Sequence, residues 1–305
     1  MPPKLRFPIK DISERLPERK QMTIAIGLRA HNGLVIAADS EESTGDYMKG
    51  TKGKISCFYS QDDSKKGTFA GDCVDSCVIA GAGNSGYVNA LTNELGKVFL
   101  SNPTLPIYVP PTFADMAKDT LNLKFEVCLA AFYKKHIIPF AAFPERKRPD
   151  VEMLFGIQRK NLIALFTTEK TIINPAIPYK AIGLGSTFAE LFLAKLYRPM
   201  SVEQAELLAA YVIFLTKESV ENCGKFTTIV TIKGSAIIDD TTTRSHVLPT
   251  ERAEWVNMDL IEEWEHSFRK RWWKAEQEKV FSLINSELTK PAPMPSISRK
   301  SKGRR

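Results

Sequence analysis

The chain opens its first recognisable structure at Thr23. Met22-Thr-Ile-Ala-Ile-Gly-Leu-Arg29 and Asn32-Gly-Leu-Val-Ile-Ala-Ala-Asp39 are short apolar segments, and the turn signal His31-Asn-Gly33 stands where they meet. Such a pattern predicts a β-hairpin, here with a carboxylate at the end of its second strand. The sheet that follows must therefore be built around a strand that begins on a threonine. A threonine hydroxyl is a weak nucleophile, and the α-amine of an N-terminal threonine is one of the bases that activate it. Attack by Thr23 on an acyl carbon thus requires a mature chain that begins at Thr23. Met22 offers a route: if translation starts there, removal of that methionine before the small threonine exposes the amine without autolysis. Residues 1–22 would then be a propeptide-like extension or a misassigned start.

Further along, Ser43-Thr-Gly-Asp-Tyr-Met48 and Lys54-Ile-Ser-Cys-Phe-Tyr59 read as short strands, Ser60 to Gly71 as a polar loop and Cys77-Val-Ile-Ala80 as a brief buried strand. Val88, Leu91, Leu95 and Val98 keep helical spacing, as do Met116, Leu121, Phe125, Cys128 and Phe132 in a second helix over 112–136. Strands return at Val151–Gly156, Leu162–Phe166 and Thr171–Ile173. One helix follows Gly185 and another runs from a capping box at Ser201-Val-Glu-Gln204 to about Val220. Phe226–Ile232 is a strand, with a turn at Lys233-Gly-Ser235. Strands, two helices, strands, two helices, strands is the order of antiparallel sheets covered by helices, an α+β arrangement, rather than of alternating βαβ units. A last helix over Asp259 to Leu288 carries a stripe of Ile261, Trp264, Phe268, Trp272 and Ala275.

Thr23-Ile-Ala-Ile-Gly27 followed by Gly33-Leu-Val-Ile-Ala-Ala-Asp39 resembles the start of a mature proteasome β-type subunit or of a bacterial proteasome-like peptidase, members of the N-terminal-nucleophile hydrolases. Lys52-Gly-Lys-Ile55, Val78-Ile-Ala-Gly-Ala-Gly83 and Ile182-Gly-Leu-Gly-Ser-Thr187 agree in order, and the resemblance spans Thr23 to Lys233. It implies a four-layer αββα sandwich of two antiparallel sheets, the N-terminal-nucleophile hydrolase fold, here with an extra C-terminal helix. It also implies a site: Thr23 as nucleophile, Lys54 tuning the threonine and its amine, Asp39 orienting Lys54, and the Gly81 amide facing the oxyanion, with Glu218 and Ser219 in support. In this sequence Leu184 occupies the position of the family's serine between two glycines, Glu218-Ser219 stands at altered spacing before Cys223-Gly224, and Met22 replaces the usual glycine before the threonine.

From the residues alone, Thr23 can equally be an ordinary strand threonine, Lys54 a solvated strand end and Asp39 a turn cap. The reading carried forward is a threonine-type endopeptidase acting on peptides or unfolded proteins within a homo-oligomeric ring, with an ATPase or sister subunits as further partners. The alternatives are a non-catalytic subunit of such a ring and a small-molecule amidase. The chemistry asks for no metal or organic cofactor, and the scattered Cys57, Cys73, Cys77, Cys128 and Cys223 have no zinc-site spacing. They are expected as reduced thiols of a soluble cytoplasmic protein.

Four divisions are expected: 1–22, a core at 23–240, a helical extension at 241–289 and a tail at 290–305. The first 22 residues hold six basic and three acidic groups and the last 16 hold six basic groups and no acid, so the body is near −2 although the chain carries +7. A basic tail of Pro, Ser and Lys reads as a solubilising end, and Trp272-Trp273 as packing rather than base stacking, so nucleic acid is not an expected partner. No apolar stretch approaches the roughly 18 residues of a membrane span.

Overall fold

The computed structural model describes residues 23–44, 48–51, 53–61, 73–107, 120–142, 149–159, 162–176, 178–220, 223–237, 246–249, 253–271 and 274. The chain divides into two compact units, Met1–Glu265 and His266–Arg305.

The opening hairpin forms as its sequence dictates. β1 (Ala25–Ala30) and β2 (Gly33–Asp39) pair antiparallel from Ala25↔Ala38 to Ala30↔Gly33. β3 (Glu41–Thr44) and β4 (Met48–Thr51) make a separate two-stranded ribbon. β5 (Ile55–Gln61) and β6 (Cys73–Gly83) begin the second large sheet, and β6 is longer than its apolar centre announces. Helix α1 (Ser85–Ser101) follows, burying Val88, Leu91, Leu95 and Phe99.

Helix α2 (Leu121–Phe132) starts where the Thr120 side chain accepts the Leu123 N–H, and it passes into a π turn (Tyr133–Ile137) and a 3₁₀ turn (Ile138–Ala142). The earlier part expected for this helix, with Met116, lies outside the described residues. β7 (Val151–Arg159), β8 (Leu162–Glu169) and β9 (Ile172–Pro175) complete the sheet β5-β6-β7-β8-β9.

β10 (Tyr179–Ile182) then returns to β1. Helices α3 (Ser186–Leu196) and α4 (Val202–Ser219) follow, α4 with both bonds of the Ser201–Gln204 capping box in place. β11 (Thr227–Ile237) pairs with β2. It runs straight through Lys233-Gly-Ser235, where a turn was expected, because β12 (His246–Pro249) pairs with it from Gly234 to Ile237. With β13 (Glu254–Trp255) also on β11, the first sheet, β10-β1-β2-β11-β12, extends past the expected boundary at residue 240.

All pairings are antiparallel, and the layers follow from alternation along the strands. On β6, Val78, Ala80 and Ala82 face a core shared with Ala25, Leu34, Ile36 and Ala38 of the first sheet. Cys77 and Ile79 face the opposite way, into a second core with α1 and α2. There Phe125 of α2 stacks on Phe155 of β7 at 5.6 Å. Helices α3 and α4 cover the outer side of the first sheet. The result is helices, sheet, sheet, helices, an α+β sandwich.

The C-terminal helix α5 is described over 258–271, with Ile261 buried and Trp264 partly so. The Trp272-Trp273 pair lies outside the described residues. Among the described residues no helix is long and apolar enough to cross a membrane.

Candidate active site

Asp39 ends β2 fully buried and organises everything around it. Its Oδ1 accepts the Lys54 ammonium at 2.6 Å and the backbone N–H of Ile24 at 3.0 Å. Its Oδ2 accepts the Gly224 N–H at 3.1 Å. The Lys54 side chain is 9% exposed, so it is not a solvated strand end. Two donors on one carboxylate oxygen bring the Lys54 ammonium beside the peptide unit that joins Thr23 to Ile24. Burial pushes the Asp39 carboxyl above its ordinary range, against the pull of Lys54 and of the two N–H donors.

Thr23, itself buried, is held by its backbone. Its carbonyl oxygen accepts the Gly185 N–H at 3.5 Å. Gly183 takes a positive φ of 89° in the turn between β10 and α3, and its N–H donates to Glu152 Oε2 at 2.7 Å. Leu184 is exposed at this turn, and Ser186 begins α3, its N–H bonded to the Gly183 carbonyl.

Gly81 lies one position beyond the β5–β6 register, which begins at Ile55↔Ala80, and its N–H donates to the Lys54 carbonyl at 3.3 Å. Its lack of a side chain answers to helix α1, since a β-carbon would lie 2.2 Å from Val88 Cγ1. Service as an oxyanion donor would require this long amide bond to be shared or released. Glu218 and Ser219 are the last two residues of α4 and are exposed. Among the described residues the donors to Asp39 are Lys54, Ile24 and Gly224, and neither Glu218 nor Ser219.

Sequence reasoning missed Glu152, and it quoted Gly183, Gly185, Cys223 and Gly224 as motif positions without giving them a role. Gly224 follows α4 and enters the site through its backbone N–H, while the N–H of Cys223 beside it donates to the Val220 carbonyl at 3.2 Å. Burial, then Asp39 and Glu41, push the Cys223 thiol up to about 12, against the pull of Lys54, so it stays protonated at neutral pH. Cys57, Cys77, Cys128 and Cys223 are free thiols. Among the described residues there is no cluster of three or more His, Cys, Asp or Glu that could hold a metal. The arrangement offers a lysine ammonium, fixed by a buried carboxylate, against the backbone of a threonine.

Solved structures with this fold include the helical assembly of the Anbu complex from Pseudomonas aeruginosa, 17% identical, covering 90% of this chain and 99% of that one, with a TM-score of 0.60. An Anbu (Gly-1) mutant from Hyphomicrobium sp. strain MC1 is 16% identical, covering 86% and 99%, with a TM-score of 0.57. Anbu, the ancestral beta-subunit, from Yersinia bercovieri is 15% identical, covering 89% and 99%, with a TM-score of 0.56. No family model matches the sequence, and no curated protein matches it.

At these identities the likeness is one of fold. It corrects the resemblance drawn from Thr23 to Lys233: the solved structures named above are Anbu proteins, and no family model assigns the chain to the β-type N-terminal-nucleophile hydrolases. The motifs behind that resemblance have duties in the fold itself. Gly81 makes room for Val88, and Asp39 ties β2 to Ile24 and Gly224.

Proposed function

We propose that this chain is a threonine-type peptidase that works within a proteasome-like assembly, with Thr23 as nucleophile once its amine is free. The observation that carries the reading is the Asp39 carboxylate, whose Oδ1 takes both Lys54 Nζ and the amide that follows Thr23. A fixed ammonium there favours the neutral amine of Thr23, the form able to take the hydroxyl proton as the oxygen attacks a peptide carbonyl. The same charge stabilises negative charge as it develops on that oxygen.

Self-assembly is supported by two outward helical surfaces. Phe188, Leu191 and Leu196 of α3 are exposed, as are Leu123 and Val127 of α2. Apolar surface left bare on a single chain calls for a partner, here further copies of the chain. The helical assembly of the Pseudomonas aeruginosa Anbu complex is in keeping with this.

The decisive experiment pairs intact mass with turnover of a peptide amide. The active species is expected to begin at Thr23, and Thr23→Ala to abolish turnover while leaving the fold intact. An active species that retains residues 1–22 would overturn the reading. A non-catalytic wall subunit of the same assembly is the second reading, favoured by the Gly81 N–H being engaged by the Lys54 carbonyl. Assembly without Thr23-dependent turnover would establish it.

A further inference from the structure

The turn between α4 and β11 delivers the Gly224 N–H to Asp39, and it is held in an unfavourable shape. Lys225 has φ 59°, a left-handed conformation costing a residue with a β-carbon on the order of 1–3 kcal/mol. Such a conformation persists only where neighbours hold it. On one side, Ser40 N–H donates to the Phe226 carbonyl at 2.9 Å, and Phe226 N–H donates to Ser40 Oγ at 3.0 Å. On the other, Lys217 Nζ donates to the Lys225 carbonyl at 3.0 Å and to Thr227 Oγ1 at 2.9 Å. Thr227 is the cross-strand partner of Asp39 itself.

Lys217 is placed there by a residue of the C-terminal helix. Glu265 Oε1 accepts the Lys217 ammonium at 2.6 Å and also accepts the Thr227 hydroxyl. The two charged side chains are only 7% and 14% exposed. A buried ammonium without a counter-charge is costly, and removing one partner of such a pair is strongly destabilising.

We propose that Glu265 is a positioning residue for the Asp39–Lys54 pair. It acts through Lys217, the Lys225 carbonyl and the Gly224 N–H, and touches neither Thr23 nor the substrate. Without its charge, Lys217 turns toward solvent and releases the Lys225 carbonyl. The strained turn relaxes and Gly224 withdraws from Asp39 Oδ2. Asp39 then keeps donors on one oxygen only and no longer fixes the direction of Lys54. The catalytic part of this inference rests on the peptidase reading; the mechanical link from Glu265 to Gly224 does not.

The test uses the full-length assembled protein with Glu265→Gln, which preserves shape and removes charge, beside Lys217→Met and the exposed control Glu262→Gln. Hydrogen exchange read by mass spectrometry on the fragment containing Gly224 is expected to quicken roughly tenfold in Glu265→Gln and Lys217→Met, with β1 and β2 unchanged. Peptide turnover is expected to lose a similar factor in kcat at unchanged KM, and Glu262→Gln to alter neither. Unchanged exchange at Gly224 in folded Glu265→Gln would overturn the proposal. So would loosening of β1 and β2 to the same extent, because Glu265 would then serve the whole domain. If the unaltered protein shows no Thr23-dependent turnover, the peptidase reading falls, and exchange at Gly224 still decides the link.

Discussion

Gly183 lies directly against Thr23: a β-carbon on Gly183 would come within 2.2 Å of the Thr23 carbonyl oxygen. The same glycine has a positive φ and an N–H committed to Glu152, so the turn cannot retreat without giving up that bond. Gly183→Ala is therefore expected to push Thr23 out of position as well as to strain the turn. Displacing a reacting group by about 1 Å costs on the order of 10² in rate. Turnover per folded molecule should fall by about that factor, and unchanged turnover would show that the carbonyl's neighbour does not position the threonine.

Lys54→Met should cut the acylation rate by about 10²–10³, the usual worth of one preorganised charge. It also strips the counter-charge from buried Asp39, so a stability loss of about 3–5 kcal/mol is expected with it. Activity must be normalised to the folded fraction, from thermal unfolding measured in parallel. Lys54→Arg should fail as well, because a planar fork cannot replace a compact ammonium at this spacing. Full activity in the folded part of both variants would remove the lysine from the mechanism.

The pH response of Asp39 has a definite sign. Its folded-state pKa is raised, so the native chain binds the proton more tightly than the unfolded chain does. The associated stabilisation is complete below the ordinary carboxylate range and is lost as pH climbs through the raised value. Turnover has the opposite slope, since only the carboxylate holds Lys54 by charge. Unfolding of the parent and of Asp39→Asn, compared across acidic pH, should show the parent losing stability relative to the variant as pH rises. A parent that gains stability relative to the variant as pH rises would contradict the assignment.

Cys223 should be inert. Its thiol is pushed up to about 12 and is buried, so almost no thiolate is present at neutral pH. Alkylation of native protein with iodoacetamide should leave Cys223 unmodified while denatured protein is labelled there. Rapid native labelling would mean that the turn carrying Cys223 and Gly224 opens readily.

Self-assembly can be examined through α3. Phe188→Glu with Leu191→Glu puts charge on an exposed apolar face and should shift light scattering toward smaller species, with secondary structure unchanged. A parent protein that is monomeric at every concentration would remove the assembly from the proposal.

The sequence reading reached those parts of the molecule that are written locally. An Asn-Gly turn between apolar runs marked β1 and β2, and a Ser-x-x-Gln box marked the start of α4, because each signal needs only a few neighbouring residues. Asp39 stood out as a charge at the end of an apolar strand, and Lys54 only through the resemblance of Lys52-Gly-Lys-Ile55. The remaining contacts join distant parts of the chain through backbone groups that no side chain announces. The Gly224 N–H and the Thr23 carbonyl are of this kind, and so is the role of Gly183. The usable signal was a glycine after each neighbouring element, Gly183 after β10 and Gly224 after α4, since positive φ and close approach both favour that residue. The turn expected at Lys233-Gly-Ser235 failed because pairing with β12 outweighed a local preference for bending.

The bond from Gly224 to Asp39 spans 185 positions. A chain emerging from the ribosome carries Thr23, Asp39 and Lys54 through most of its synthesis before the final donor arrives. Whatever the threonine can do, it cannot do with a complete site until α4 has folded and β11 has closed against β2. The order of the chain thus acts as a delay, keeping the corner around Asp39 unfinished while the protein is still being made.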